Sequence, residues 1–317
     1  MTDRNSVIFS MLGKMWTKYS VLDHILPDYK AITDELLLYI DLRSIFGILY
    51  TDNIDINKIL TKDEKLMVSA EILNMIAHYR NYFWARHKIK TTFIFIYSDE
   101  VSERNQKLNP DYNSNFKEKR RINGKYSKVQ SVIKKNIDLL KILAPKIPNI
   151  YFVDTKKIEP ECIPLMLKEK NEIGLLLTNN STFIRYLQYK NFHILTMKSD
   201  SSKIIRDFQL EEGKRYKYAH PFQYLAGKTK ASENLELMNF PIKMVDWVFA
   251  ISGSEKHSIK GYPGLGFVKA LKLLKKCNLD KKFGCNEEEF LSLIELPDDT
   301  MKDMIVTNKR ILNLKEN

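Results

Sequence analysis

Two apolar patterns alternate along the chain. Short unbroken apolar runs, flanked by charge or turn residues, mark strands buried on both faces. Residues 36–40 in DELLLYID form one such run, stopping at Asp41. KTTFIFIYSDE is a second, β-branched and aromatic, ending at Ser98 and Asp99; NIYFVD is a third and GLLLTNN a fourth. Between these runs, apolar residues take the three-to-four spacing of amphipathic helices. MVSAEILNMIAHYRNYFW predicts a long helix over roughly 61–88, with further helices over 129–143, 159–170 and STFIRYLQY. Residues 1–35 read as a helical extension. The alternation predicts an α/β fold with a mostly parallel central sheet flanked by helices.

In such a sheet the ligand cleft opens beyond the carboxyl ends of the strands. The residues standing there are Asp41, Ser98 and Asp99, Glu159 and Glu161, and Asn179 and Asn180. One acid at a strand end is unremarkable, but acids or amides at successive strand ends point to one shared cleft.

Two other segments carry candidate chemistry. Residues 100–130 are polar and turn-prone, with Lys117, Lys119, Arg120, Arg121, Lys125 and Lys128 interleaved with Tyr112, Phe116 and Tyr126. Basic side chains track phosphates and aromatic rings stack on unpaired bases; a solvated loop is the plain alternative. The second segment is ISGSEKHSIKGYPGLGFVKALKLLKK, where Gly261, Gly264 and Gly266 precede an amphipathic helix that begins with Lys269 on its polar side. Glycines allow backbone N–H groups to approach a phosphate, and a helix N-terminus adds favourable partial charge. The layout is that of a helix-hairpin-helix element gripping a nucleic-acid backbone without reading bases; the alternative is a helix corner whose glycines serve geometry alone. No strand leads into these glycines, so a dinucleotide fingerprint is not expected.

Composition narrows the partners. The 317 residues are 44% hydrophobic and 28% charged, with a formal net charge of +12 and a pI near 9.3, a field that favours encounter with polyanions. No apolar run approaches the roughly 20 residues that span a bilayer, and MTDRNSVIFSMLGKMW lacks the pattern of a secretory signal. An intracellular protein with no membrane partner is expected. Cys162, Cys277 and Cys285 have no paired spacing, so neither a disulfide framework nor a structural zinc site is expected.

Over residues 36–276, about three-quarters of the chain, the segments together resemble the 5′-nuclease superfamily of flap endonucleases and 5′→3′ exonucleases. YIDLRSIF is similar to the family's first strand with its leading aspartate, and FIYSDEV followed by YNSNFKEKRR to its second acidic strand end and helical gateway. IEPECIPLMLKE is similar to the acid-x-acid helix start, with Glu159 and Glu161 matching two metal carboxylates. LLLTNNSTFIRYL resembles the segment that carries a further aspartate pair, and VDWVFAISGSEKHSIKGYPGLGFVKALKLL the block leading into a helix–three-turn–helix module. The order and spacing of the five blocks agree. The chain departs where the family has its aspartate pair, at Asn180 and Thr182, and where it has its last aspartates, at Ser254 and His257; Ser98 takes the second strand end, with Asp99 one residue late.

The resemblance implies a PIN-like nuclease domain over 36–250 with a basic gateway at 100–130, then a helix-hairpin-helix module and tail over 251–317. It implies catalytic roles for Asp41, Asp99, Glu159 and Glu161. Asp41, Glu159 and Glu161 would hold one Mg²⁺ or Mn²⁺, and Asn180 and His257 a second, weaker site. Phosphodiester cleavage by two ions needs anionic oxygen ligands, so neutral replacements imply weakened or lost cleavage with DNA binding retained on flaps, 5′ ends or single strands, RNA being a further partner. The alternatives are a working metal-dependent nuclease, or a non-catalytic interaction subunit of a nucleic-acid-processing or virion assembly contacting proteins through 1–35 and 277–317.

Overall fold

The computed structural model describes residues 22–23, 26–31, 33–51, 64–97, 102–112, 124–154, 158–167, 173–189, 192–196, 204–216, 218–227, 233–254, 259–279, 287–296, 298 and 301–313. Six strands form one sheet in the order β3-β2-β1-β4-β5-β6: β1 (Glu35–Asp41), β2 (Lys90–Tyr97), β3 (Ile150–Asp154), β4 (Gly174–Leu177), β5 (Phe192–Leu195) and β6 (Ile204–Ile205). The first five are parallel and β6 runs antiparallel to β5. The expected mostly parallel α/β sheet is therefore present.

Successive side chains on a strand point to opposite faces, and here both faces are covered. Leu36, Leu38 and Ile40 of β1, with Phe93 and Phe95 of β2, pack under α3 (Glu64–His87) and α5 (Gly124–Leu143), which contribute Ile72, Ile76, Phe83, Ile137 and Leu140. Tyr39, Ile94, Ile96 and Leu176 face the other way. They join a cluster that takes in the 3₁₀ helix Ser181–Gln188 and the helices α9 (Val245–Ser252), α10 (Phe267–Lys276) and α12 (Lys302–Leu312). Burial on both faces is why LLLYI and FIFIY are unbroken apolar runs.

The helix ends have local causes. The chain turns left-handed at Lys88 (φ 56°), and the Ile89 and Lys88 N–H groups bond to the Phe83 and Trp84 carbonyls. This closes the last turn of α3 and delivers buried Ile89 to the start of β2.

The structure also refines several expectations. The second helix starts at Gly124 rather than 129. In place of one helix over 159–170, the described residues form a 3₁₀ turn, Pro160–Cys162, running into a five-residue helix α6 (Ile163–Leu167), and 168–170 lie outside the described residues. STFIRYLQ is 3₁₀ rather than α-helical. The segment expected to be loop after β2 contains α4 (Glu103–Leu108), capped by the Ser102 side chain. β5 and β6 are not among the expected strands: His193 interrupts the apolar run of β5, and β6 is two residues long. The remaining helices, α1 (Leu26–Lys30), α2 (Leu42–Thr51), α7 (Pro221–Ala226), α8 (Leu235–Met238) and α11 (Glu287–Leu293), complete the two layers. Among the described residues no helix is long and apolar enough to cross a membrane.

Candidate functional site

The chain leaves β1 toward β2 and β3 on one side, while β4 to β6 lie on the other, so the order reverses between β1 and β4. A crevice forms at the carboxyl ends of two strands that diverge in this way. Ile40 pairs with Leu177, so β1 and β4 end level and Asp41 stands beside Thr178.

Asp41 is 3% exposed and N-caps α2. Its Oδ1 accepts from the backbone N–H of Arg43 at 3.0 Å and of Ser44 at 3.3 Å. Its Oδ2 accepts from the hydroxyls of Ser44 at 2.6 Å and Thr178 at 2.7 Å. A carboxylate has about four acceptor positions, and these four donors fill them. Ser44 also ties β4 to the network by accepting from the Asn179 N–H at 3.1 Å.

Glu159 and Glu161 are both buried, beyond the end of β3. Glu159 accepts from the Ser102 N–H at 3.2 Å, which brings the segment after β2 to the same place. Burial raises the Glu159 carboxyl to about 7, and the neighbouring Glu161 charge adds to the shift; the Ser102 N–H, the Arg43 charge and the Tyr112 hydroxyl oppose it.

Asn180 and Thr182 stand beside Glu161. Asn180 caps the 3₁₀ helix: its Oδ1 accepts from the Thr182 N–H at 3.2 Å and the Thr182 hydroxyl at 2.8 Å. Those donors fix the amide's orientation, so its Nδ2 donates to Glu161 Oε1 at 2.9 Å. The Thr182 hydroxyl lies 3.4 Å from the same oxygen. The Asn180 N–H reaches Thr178 Oγ1 at 2.9 Å, so hydrogen bonds run unbroken from Asp41 through Thr178 and Asn180 to Glu161. The structure therefore gathers Asp41, Glu159, Glu161 and Asn180. Among the described residues no three His, Cys, Asp or Glu side chains are grouped so as to hold a metal ion. Asp99 and His257 lie outside the described residues.

Beneath the acids lies a cavity of about 10 Å³, lined by Glu159, Glu161, Tyr112, Asn105, Cys162, Arg185, Ile311 and Leu312. Tyr112 was expected to be available for base stacking; at 3% exposure it is instead a wall of this cavity, with its phenol held well above the usual range by burial. Burial likewise raises the Cys162 thiol to about 12, leaving it a thiol. Arg185 donates from Nε to the Thr182 carbonyl at 3.1 Å and from Nη1 to the Leu312 carbonyl.

The glycine segment is built differently. It joins α9 to α10 through residues 253–266, and the backbone of Ser254 and Ile259 closes a small two-bond bridge. Gly253 (φ 77°) and Gly261 back onto each other, since a Cβ on Gly261 would lie 2.3 Å from the Ser252 carbonyl group. Gly264 (φ 78°) and Gly266 face open space, with nothing within 4 Å of a Cβ. Gly266 caps α10 without a side chain, and Lys269 is exposed on its first turn. Buried Asn308 of α12 pins the turn, donating to the Ala250 carbonyl at 2.9 Å and the Lys260 carbonyl at 2.8 Å. Lys117, Lys119, Arg120 and Arg121 lie outside the described residues, as does the side chain of Lys125 at the start of α5.

Several of these groups escape sequence reasoning. The capping role of Asp41 had a signal, an aspartate placed before a helix with serine three residues on. Thr178, Arg185 and Asn308 had none, because the distant partners that give them these roles lie 48 to 137 residues away.

No protein-family model and no curated protein sequence matches the chain. Solved structures do match, with 89% of this chain covering 90% of each. T5 5′-exonuclease with bound divalent zinc superposes at a TM-score of 0.62 and 11% identity. Bacteriophage T5 flap endonuclease, in a pseudo-enzyme–product complex with DNA and metal ions, does so at 0.61 and 13%. A T5 protein co-crystallised with metal ions matches at 0.61 and 12%. At this identity the likeness establishes the fold: the chain has the α/β fold of these 5′-nucleases.

Proposed function

We propose that this chain is a DNA-binding protein on a 5′-nuclease fold, in which metal-dependent cleavage is strongly reduced or lost. The observation that carries this reading is the Asn180 amide donating to Glu161. A two-ion phosphodiesterase needs anionic oxygens facing the ions; at this position the chain turns an N–H group toward the carboxylate. The remaining donor set does not fit a pair of divalent ions either. Asp41 has its acceptor positions filled by four protein donors, and the Asn180 oxygen is taken up by Thr182. No cleavage step is therefore routed through Mg²⁺ or Mn²⁺.

Binding has its own support. The net charge of +12 favours a polyanion. Gly264, Gly266 and Lys269 turn backbone and charge outward at the start of α10, as a helix-hairpin-helix contact to a phosphate backbone requires. The basic residues 117–125 would serve as a second contact to a single strand or flap. T5 flap endonuclease, which shares the fold, is seen with DNA.

The test is a 5′-flap duplex and a 5′-overhang duplex incubated with the purified chain. Saturable binding in EDTA, without cleavage above background in Mg²⁺ or Mn²⁺, is the expected result. Cleavage that disappears in a Glu159→Ala/Glu161→Ala double variant would refute the loss of activity. Failure to bind either DNA at moderate salt would favour the interaction-subunit reading instead.

A further inference from the structure

We infer that Arg185 is a built-in counter-cation of the acidic cleft, locked in place by the C-terminal helix, and that it makes the cleft indifferent to divalent metal. The inference deepens the proposal above and rests on its account of Asn180 and Asp41.

Arg185 is 4% exposed, and a buried guanidinium stays charged. Burying that charge is costly without compensation. Among the described residues no carboxylate lies within ion-pair contact of Arg185; its hydrogen bonds go to two carbonyls, those of Thr182 and Leu312. Arg185, Glu159 and Glu161 all line the same cavity of about 10 Å³. The relation is reciprocal. Two buried carboxylates repel each other, and a cation lining the same cavity lowers the cost of keeping either ionised, as the Arg43 charge also does for Glu159.

The same cavity is a poor place for a metal ion. Its volume is that of roughly one water molecule, whereas Mg²⁺ holds an octahedral shell and sheds water reluctantly. Any ion entering would also face the Arg185 charge in a low-dielectric setting. The cleft thus has a cation of its own that the protein cannot release.

The C-terminal helix α12 holds that cation. The Leu312 carbonyl at its end accepts from Arg185, and the Arg310 carbonyl accepts from Arg104 of α4 at 3.2 Å. The carbonyl end of a helix carries partial negative charge, which favours both guanidinium groups. One turn earlier on α12, Asn308 pins the glycine turn. One helix therefore fixes the counter-charge of the cleft and the shape of the turn.

The experiment uses the full chain without DNA. Bound Mn²⁺ is counted from the electron paramagnetic resonance signal of the free ion, and melting temperature is compared in EDTA and in excess Mn²⁺. The wild type is expected to bind no Mn²⁺ that depends on Glu161 and to melt within about 1 °C in the two conditions. Arg185→Met is expected to melt several degrees lower, by about 5 °C at pH 8, and to gain an Mn²⁺-dependent rise that Glu161→Gln removes. Arg185→Lys keeps the charge and is expected to stay indifferent to Mn²⁺. Mn²⁺ bound by the wild type and lost in Glu161→Gln would overturn the inference. So would Arg185→Lys acquiring the metal response, or a folded Arg185→Met showing none. Should Arg185→Met fail to fold, the wild type and Arg185→Lys decide the matter. A wild type that binds Mn²⁺ but leaves flap DNA uncut sinks this inference and spares the proposed function. One that ignores Mn²⁺ when free yet cuts flap DNA does the reverse.

Discussion

The acidic cleft and the glycine turn treat polar groups in opposite ways. In the cleft, described polar groups are turned inward: Asp41 accepts four protein donors, Glu161 receives the Asn180 amide, and Tyr112 and Arg185 are buried walls. In the turn, Gly261 is packed against Ser252, but Gly264, Gly266 and Lys269 face outward. Asp41 is satisfied within the protein, while the turn leaves Gly264, Gly266 and Lys269 open to solvent. On the proposed reading, chemistry and DNA contact depend on different residues, so a nuclease fold can lose the first and keep the second.

The largest expected effect separates the packed glycine of the turn from its open ones. Gly261→Ala places a methyl 2.3 Å from the Ser252 carbonyl group, and should cost about 3 kcal/mol in a urea melt. Gly266→Ala, with open space around it, should stay within about 0.5 kcal/mol and leave its effect on DNA binding alone. Equal losses would mean that Gly266 is also packed. Asn308→Ala comes next. It strips a buried donor from the Ala250 and Lys260 carbonyls and should cost about 2 kcal/mol, with weaker DNA binding because the turn loses its anchor.

Cleft substitutions should behave as charge problems. Asn180→Asp removes the donor to Glu161 and adds a like charge, so it should destabilise the chain by about 2 kcal/mol at pH 8, the loss shrinking toward pH 5. A pH-independent loss would point to packing instead. The wild type has a related signature. The Glu159 carboxyl is raised from 4.5 to about 7 by burial first and Glu161 second. Across that window the unfolded chain has released a proton that the folded chain retains, so stability falls as pH rises from 4.5 to 7. Glu159→Gln should flatten that fall in chemical denaturation curves measured between pH 4.5 and 8. The smallest effect is on the exposed face of the turn. Lys269→Ala should leave the melt unchanged, weaken DNA binding modestly, and reduce the slope of log K against log salt by about 0.9. An unchanged slope would remove Lys269 from the interface.

Much of the scaffold was legible from the chain alone, because burial is recorded locally. LLLYI, FIFIY and GLLL are unbroken apolar runs since both sheet faces are covered, and each is a strand. Asp41, Glu159, Glu161 and Asn180 were likewise found at strand ends, and they do meet. Local pattern could not show what those groups do to one another. Asn179 and Asn180 look alike in sequence, yet Asn179 gives its backbone N–H to Ser44 whereas Asn180 turns its amide onto Glu161. Tyr112 sits in a polar, lysine-rich segment that reads as solvent-exposed, and α4 folds it under the acids.

The order of residues by itself determined the alternation of strands and helices, the level at which acids and amides gather, and the glycines that shape the turn before α10. These follow from periodicity and backbone freedom, which act over a few positions. Tertiary structure alone decided that Asp41 would be saturated, that Arg185 would share a cavity with the acid pair, and that Asn308 would hold the turn. Those contacts join residues far apart in the chain, and their energies come from desolvation and from donors that only the folded interior brings within reach.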